Sequence, residues 1–155
     1  MKYKCYTKLQ KDITKGGDYW RDVNIEEHLT LTEFQSTYQY LSNNFKPPLS
    51  ILEAGCGLGR WVIPLSKQGF DIVGIEIEQD AVDLINKKYH NDKIKVIQGD
   101  IFNMPFQDGI FDMVISLGVL EHFEDTKLQE KAIAEHYRVL KDDGVFLVTV
   151  PYFSL

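Results

Sequence analysis

The sequence predicts an α/β fold, a doubly wound parallel sheet covered by helices on both faces, from three observations. From residue 49 onward, short apolar segments alternate with longer amphipathic ones. Three glycines, Gly55, Gly57 and Gly59, separate the first apolar segment from a predicted helix. Carboxylates, Glu76 and Asp100, stand where two later apolar segments end. Apolar strands joined by helices form buried parallel sheets, and right-handed crossovers place the helices on both faces.

The first part of the chain, residues 1–48, is predicted to be an N-terminal cap segment, and residues 49–155 form the core. The cap segment is rich in polar and aromatic residues and has no long apolar run. A helix is predicted over 31–41, where apolar side chains recur at helical spacing. The Pro47-Pro48 pair ends this helix, because proline disfavours helical geometry in the residue before it.

The core is predicted to contain five strands and three helices in alternation. Gly69 ends the first core helix, since glycine readily adopts the left-handed conformation that closes a helix. Asp142-Asp143-Gly144 is a turn sequence and precedes the last strand. The strands are predicted over 49–54, 70–75, 93–97, 110–116 and 145–150, and the helices over 60–68, 80–89 and 127–140.

Composition and charge exclude several classes of protein. The chain has 155 residues, 44% hydrophobic and 26% charged, as in ordinary globular domains. Its net charge is −6, whereas proteins that bind a nucleic-acid backbone are usually basic, so no nucleic-acid partner is expected. No apolar run approaches the roughly 20 residues that span a bilayer, so no membrane association and a cytoplasmic location are expected. The cysteines and histidines have no metal-ligand spacing, so no metal is expected.

The glycine loop itself, in the sequence ILEAGCGLGRW, distinguishes between kinds of nucleotide site. A P-loop requires GxxxxGK[ST], which is absent. A dinucleotide fingerprint, GxGxxG, would need its third glycine at Arg60 or, one register later, at Val62. The loop instead has glycines at every second position, and Glu53 precedes them. This pattern disfavours both nucleoside triphosphates and nicotinamide dinucleotides.

Other strand ends add polar and small residues at the same edge of the predicted sheet, where ligands bind in such folds. Glu76 ends the second strand and is suited to accept the hydroxyls of a ribose. Asp100 follows the third strand; it can accept from the amine of an adenine or, alternatively, cap the next turn through its side chain. Small residues, Ser116 and Gly118, leave space at the end of the fourth strand.

Five segments together resemble the class I S-adenosylmethionine-dependent methyltransferases, in particular the methyltransferase-11-like domain. They are EAGCGLG, VGIE, QGDI, FDMVISLGVLEHF and RVLKDDGVFLVTVP, in this order between Leu49 and Pro151. The resemblance implies a Rossmann-like sheet and S-adenosyl-L-methionine as the cofactor. The family's sheet normally continues with two further strands, which the sequence lacks. A truncated chain, or a second copy or partner chain over the fifth strand, is therefore expected.

The resemblance also implies a role for each matching residue. The loop would hold the methionine part of the cofactor, Glu76 the ribose, and the third strand end the adenine. The fourth strand end would border the methyl donor through backbone atoms, and N-terminal aromatic residues would close over the cofactor. The implied cofactor-binding residues are Glu53, Ala54, Gly55, Cys56, Gly57, Gly59, Glu76, Ile77, Asp100, Ile101, Ser116, Leu117, Tyr19 and Trp20.

The pair Glu121-His122 is the candidate for catalysis. In some small-molecule methyltransferases of this kind such a pair helps to deprotonate the acceptor, and histidine suits this work because its pKa lies near neutrality. The alternative is a structural role at the start of the next helix. Cys56 lacks a neighbouring base in the sequence, so it is expected to be a small residue in a tight turn and not a nucleophile.

Methyl transfer to a small-molecule acceptor is therefore the function that the sequence favours. A binding module without turnover, acting as a partner subunit, is an alternative. A nicotinamide oxidoreductase is a third reading, which the position of Arg60 disfavours. No catalytic triad is required for methyl transfer, because the sulfonium cofactor carries the activated group.

Overall fold

The strands of the computed structural model form one parallel sheet within residues 24–30, 35–89 and 94–150, which are the residues it describes. They are β1 (Ser50–Ala54), β2 (Asp71–Glu76), β3 (Lys95–Gln98), β4 (Phe111–Leu117) and β5 (Leu140–Thr149). Their order across the sheet is β3-β2-β1-β4-β5, and every neighbouring pair is parallel. The predicted fold class is confirmed.

Helices follow β1, β2 and β4, and they carry the chain back to start the next parallel strand, whereas β3 and β4 are joined by turns. In the described ranges they are α1 (Ile25–Thr30), α2 (Ser36–Asn44), α3 (Val62–Lys67), α4 (Gln79–Lys88) and α5 (Thr126–Val139), with a 3₁₀ turn at Leu120–His122. None of them is long and apolar enough to cross a membrane.

Two predicted helices differ from the structure at their ends. The helix predicted over 31–41 corresponds to α2, which begins at Ser36 and continues to Asn44, while 31–34 lie outside the described ranges. The helix predicted over 60–68 begins only at Val62, because the chain from Gly57 to Trp61 remains in turns. The glycine loop is thus longer than its motif suggests.

Each face of the sheet packs against its own core. Neighbours on β1 point in opposite directions, so Ile51 joins the core beneath α3 and α4, and Leu52 joins the core beneath α5. Both side chains are buried, and burying one of this size contributes about 1.5–3 kcal/mol. The two cores explain why apolar residues stand next to each other in the central strands, as Ile51 and Leu52 do, and do not alternate with polar ones.

The fifth strand departs from its prediction. The structure has one strand over 140–149 and places the predicted turn inside it as an irregularity. Phe111 and Met113, two apart on β4, pair with Leu140 and Val145. The extra residues of β5 fold out of the ladder, and Lys141 reaches back to Asp112 at 2.7 Å.

Parallel pairing brings the carboxyl ends of β1, β2 and β3 to one edge of the sheet. Ala54 pairs with Ile75, and Glu76 pairs with Gln98. The glycine loop, Glu76 and Asp100 consequently lie at the same edge, as the sequence predicts.

Candidate functional site

The glycine loop leaves β1 in a series of tight turns. Gly55, Gly57 and Gly59 all have positive φ, at 81°, 51° and 72°, which other residues adopt only at a cost. The amides of Gly55 and Cys56 both donate to the carbonyl of Ile75, at 3.0 and 2.9 Å. The first turn of the loop is therefore fixed to the end of β2.

The packing of the protein itself leaves little room for a side chain at two of these glycines. A Cβ on Gly55 would lie 2.7 Å from a methyl carbon of Val119, in the segment that follows β4. A Cβ on Gly59 would lie 3.1 Å from Ile63 in α3. Because Gly55 and Gly59 have no side chains, the loop can lie against α3 and the end of β4. Sequence reasoning missed Val119, since nothing in the spacing relates it to Gly55.

Glu76 holds the middle of the loop from the end of β2. Its side chain is 8% exposed, and its Oε2 accepts from the amide of Gly57 at 2.8 Å. Its Oε1 accepts from the amides of Ile77 and Glu78, at 3.0 and 3.2 Å. A carboxylate offers about four acceptor positions, so one remains for a hydroxyl beyond these three described contacts.

Glu53 holds the end of the loop from beneath. It is 2% exposed, and its Oε2 accepts from the amide of Val62, the first residue of α3, at 2.9 Å. The amide of Trp61 also hydrogen-bonds to this carboxylate. Burial raises the pKa of Glu53 well above its usual range, and the nearby charge of Glu76 raises it further. The two backbone donors lower this pKa but do not outweigh burial.

Cys56 is a packing residue in the described structure. It is buried, and its Sγ would lie 2.7 Å from a Cβ added to Gly74 of β2. Burial raises the pKa of its thiol well above the usual range, and the charges of Glu53 and Glu76 act in the same direction. A thiol in this environment stays protonated, which agrees with the expected role of a small residue in a tight turn.

Asp100 and its neighbours lie beside Glu76. The amide of Gly99 donates to the carbonyl of Glu76 at 3.0 Å, which connects the ends of β3 and β2. The Oδ1 of Asp100 accepts from the amide of Phe102 at 2.8 Å, the turn-capping contact that the sequence left as an alternative. Asp100 is nevertheless exposed, and the contact with Phe102 uses only one of its two carboxylate oxygens.

Ile77 and Ile101, both predicted near an adenine, have different environments. Ile77 is 58% exposed at the rim of the site, beside Glu76. Ile101 is 9% exposed and belongs to the core beneath α5, where it packs in one cluster with Met104. Ile77 therefore offers free apolar surface to a ligand, whereas most of Ile101 already packs inside the protein. The contact of Ile101 with a ring stays a prediction.

The end of β4 forms the other wall of the site. Ser116 is fully buried, and its hydroxyl donates to the carbonyl of Ala54 at 3.5 Å, while Leu117 is half-buried. These side chains therefore support the sheet, and only their backbone is suited to border a ligand.

Glu121 and His122 lie in the 3₁₀ turn that follows and are half-buried. The candidates Tyr19 and Trp20 lie outside the described residues.

A separate cleft of about 220 Å³ lies at the opposite end of the sheet. It does not involve the glycine loop, and its walls combine apolar side chains with the Lys141–Asp112 ion pair. Its lining residues are Phe45, Leu49, Asp112, Met113, Lys141, Asp143, Gly144 and Val145. Ligands in parallel α/β sheets bind at the carboxyl ends of the strands, so the glycine-loop edge is the stronger candidate.

The residues at the glycine-loop edge fit a nucleoside that carries a positively charged group. Glu76 supplies an acceptor for a hydroxyl, and Ile77 supplies apolar surface for a ring. The carboxylate of Glu76 lies behind the loop together with the buried carboxyl group of Glu53, and this favours a cation over a phosphate in front of the loop. A phosphate site would instead need cationic groups or a row of unoccupied amides.

Comparison with known proteins agrees with this geometry. A sequence model of the methyltransferase domain matches residues 52–148. The chain belongs to this family. The methyltransferase domain is 28% identical over 126 residues to a protein of Mycolicibacterium smegmatis named as a probable S-adenosylmethionine-dependent methyltransferase, a match of 81% of this chain and 47% of that protein. It is 30% identical over 130 residues to ajmaline N-methyltransferase of Rauvolfia serpentina, a match of 80% of this chain and 41% of the relative.

Solved structures share the fold of this methyltransferase domain. The crystal structure of a Pyrococcus horikoshii protein superposes with a TM-score of 0.71 at 27% identity, covering 88% of this chain and 64% of the other. The predicted class, a class I S-adenosylmethionine-dependent methyltransferase domain, is confirmed, and with it S-adenosylmethionine as the cofactor of that class. The chain spans about half the length of the curated relatives that it matches, at 50% and 47% for two of them.

Proposed function

We propose that the chain binds S-adenosylmethionine over the glycine loop and transfers its methyl group to a small-molecule acceptor. The observation that carries the proposal is the position of Glu76, whose buried carboxylate holds the amide of Gly57 and keeps one acceptor position for a ligand hydroxyl. Family membership supports the same reading.

Each part of the cofactor has a matching group in the described site. Glu76 would accept from the ribose hydroxyls, and Ile77 would pack against the adenine with its exposed side chain. Asp100 would accept from the adenine amine through the oxygen that does not bond to Phe102. The backbone of Gly55 to Gly59 would lie against the methionine part. The sulfonium of the cofactor supplies an activated methyl group, so the protein's work is to bind and align.

The loop is suited to alignment because it is held at three points. Its first amides bond to β2, its middle to Glu76 and the helix after it to Glu53. Two carboxyl side chains and a backbone carbonyl therefore fix the backbone before any ligand arrives. A preformed site loses less free energy to ordering when the ligand binds.

The acceptor is proposed to be a small molecule. The named substrate of the Rauvolfia serpentina relative, an alkaloid nitrogen, supports this class. His122 is the candidate to take a proton from such an acceptor, with Glu121 beside it at the β4 end. A change of His122 to Gln should remove one limb of the pH–rate profile if the pair acts in catalysis, and should leave the profile's shape unchanged if the pair is structural.

The outer edge of β5 is the proposed place for a second copy or another partner chain. β5 is the last strand of the described sheet, and Val145 and Val148 are more than one-third exposed along it. An open apolar edge favours association. Light scattering of the purified chain tests this proposal, since a stable monomer would contradict it.

Transfer of a labelled methyl group from S-adenosylmethionine tests the proposed function. The assay combines the full chain with panels of amines, phenols and carbon acids. Labelled product is expected with the native chain and with Asp71→Ala, which changes an exposed residue at the far end of β2. At a cofactor concentration below the dissociation constant of the native chain, Glu76→Ala should form product about 5- to 150-fold more slowly, because its affinity is weaker. Cofactor binding with no product from any panel would favour the binding-module alternative.

A further inference from the structure

Glu53 and Glu76 lie on the same face of the sheet, beneath the glycine loop. Glu53 pairs in register with Gly74, so their side-chain directions agree, and Glu76 is two residues beyond Gly74 on β2. The loop crosses this face, since Glu53 bonds to Val62 at its end and Glu76 bonds to Gly57 in its middle. Two buried carboxylates thus share one small region.

The charges around Glu53 do not balance two ionised carboxylates. From β2 it faces Glu76, and from the loop it faces the Cys56 thiol and the Arg60 side chain. Arg60 also lies over the ring of Trp61, 5.9 Å from its centroid, and its charge lowers the pKa of Glu53 without outweighing burial. On the β4 side the residue in register with Glu53 is Ile115, which carries no charge.

Burial is the largest influence on this carboxyl group, and it favours the protonated form. A second negative charge nearby acts in the same direction. The two backbone amides favour the ionised form and so oppose burial and the second charge. They are neutral donors, however, and can also donate to the carbonyl oxygen of a protonated carboxyl group. A positive charge in front of the loop would reverse this balance, because an opposite charge within a few ångströms favours ionisation.

We propose that Glu53 carries a proton in the free protein near neutral pH and releases it to solvent when a cationic cofactor binds over the glycine loop. The inference rests on the proposed function and deepens it, since it makes Glu53 a positioning residue that also senses the charge of the cofactor. One proton leaves the Glu53 carboxyl group and is taken up by the buffer when the cofactor's ammonium and sulfonium groups bind. Cofactor affinity should then rise with pH over the range in which the free protein holds this proton.

Calorimetric titration of the full chain with S-adenosylmethionine measures the released proton directly. Titrations at one pH in buffers of different ionisation enthalpy give observed heats whose slope is the number of protons exchanged. A pH of about 6.5 keeps the cofactor's own amine protonated, so it contributes no uptake. Net release of roughly one proton or less per bound cofactor is expected.

Two variants assign the proton to its residue. Glu53→Gln keeps an acceptor oxygen for Val62 and mimics the protonated group, so it should bind the cofactor with most of the release lost. Glu78→Gln, a half-exposed neighbour at the same edge, should release as much as the native chain. Release that persists in Glu53→Gln would overturn the proposal.

Proton release measured with the native chain alone also tests the proposal, so the test does not depend on the folding of a variant. Binding without proton release, or with uptake, would overturn this inference and leave the proposed function standing. Absence of any binding heat, with no shift in the melting temperature on adding the cofactor, would overturn both.

Discussion

The carboxylate of Glu76 accepts a hydrogen bond from the backbone amide of Gly57 at 2.8 Å and so joins the end of the second strand to the middle of the glycine loop. The same carboxylate accepts from the two amides that follow it. One side chain therefore fixes the middle of the loop to the end of the second strand. In the proposed site the same residue would also accept from the ribose, so loop geometry and cofactor recognition would depend on it together.

Replacement of Glu76 by Ala should weaken binding of S-adenosylmethionine and of its demethylated product. Loss of a charged hydrogen-bond acceptor costs about 1–3 kcal/mol, or roughly 5- to 150-fold in affinity. Calorimetric titration measures the change. Asp71→Ala is the matched control, because it removes an exposed carboxylate from the other end of the same strand and should bind as the native chain does. Unchanged affinity in Glu76→Ala would remove this residue from the site.

Replacement of Gly55 by Ala should destabilise the protein through both backbone and packing. Its φ of 81° is unfavourable for alanine, and the new Cβ would lie 2.7 Å from Val119. The two effects together should lower the free energy of unfolding by about 2–4 kcal/mol, as measured by denaturant titration. Gly109→Ala is the control, since its φ is also positive, at 64°, but its nearest neighbour would be 3.9 Å away.

The control, Gly109→Ala, should lower the free energy of unfolding by about 1–2 kcal/mol, which is the cost of the backbone conformation alone. Val119→Ala combined with Gly55→Ala should recover part of the difference between the two, because it removes the methyl groups that clash. Equal losses in Gly55→Ala and Gly109→Ala would show that contact with Val119 is not what excludes a side chain.

Replacement of Glu53 by Gln should change the pH dependence of stability. The pKa of Glu53 is raised in the folded protein above the 4.5 of an ordinary glutamate. As pH rises above that ordinary value, the unfolded chain loses its proton first, so the native protein loses stability by up to about 1.4 kcal/mol per pH unit until the folded group also ionises. Glutamine has no proton to lose, so the variant should gain stability relative to the native chain across this interval. Unfolding curves that stay parallel from acid to neutral pH would contradict the raised pKa.

Replacement of Arg138 by Met should loosen the segment between β3 and β4. Arg138, in the last turn of α5, donates to the carbonyls of Met104 and Phe106 and to the carboxylates of Glu135 and Asp108. Because the guanidinium is partly exposed, a loss of about 1–2 kcal/mol in the free energy of unfolding is expected. Lys127→Met, at an exposed position in the first turn of the same helix, should be within about 0.5 kcal/mol of the native chain. Faster amide hydrogen exchange at residues 104–108 in Arg138→Met would locate the effect.

Local patterns predict most of this fold because the central strands are buried on both faces. Ile51 and Leu52 are adjacent in sequence, and each lies in a different core, so apolar residues follow one another without alternating with polar ones. The parallel arrangement then brings Glu76 and Asp100 to the glycine-loop edge without further information. The end of α2 before the two prolines follows from local sterics in the same way.

Long-range contacts are what the sequence does not reveal. Val119 excludes a side chain from Gly55 although more than sixty positions separate them, and no periodicity relates the two. The motif places Ile101 among the residues expected to contact the ligand, but most of its side chain packs in the core of the protein. The turn sequence at residues 142–144 lies in an irregularity within β5, and Lys141 beside it contacts Asp112 on the neighbouring strand. Each outcome depends on packing between elements distant in the chain.

Calorimetric titration of the purified chain with S-adenosylmethionine, S-adenosylhomocysteine and NADH tests the central claim most directly. The site geometry predicts saturable binding of one molecule of either adenosyl ligand and no binding of NADH. Binding of NADH with no heat from either adenosyl ligand would contradict the assignment of the glycine loop to S-adenosylmethionine.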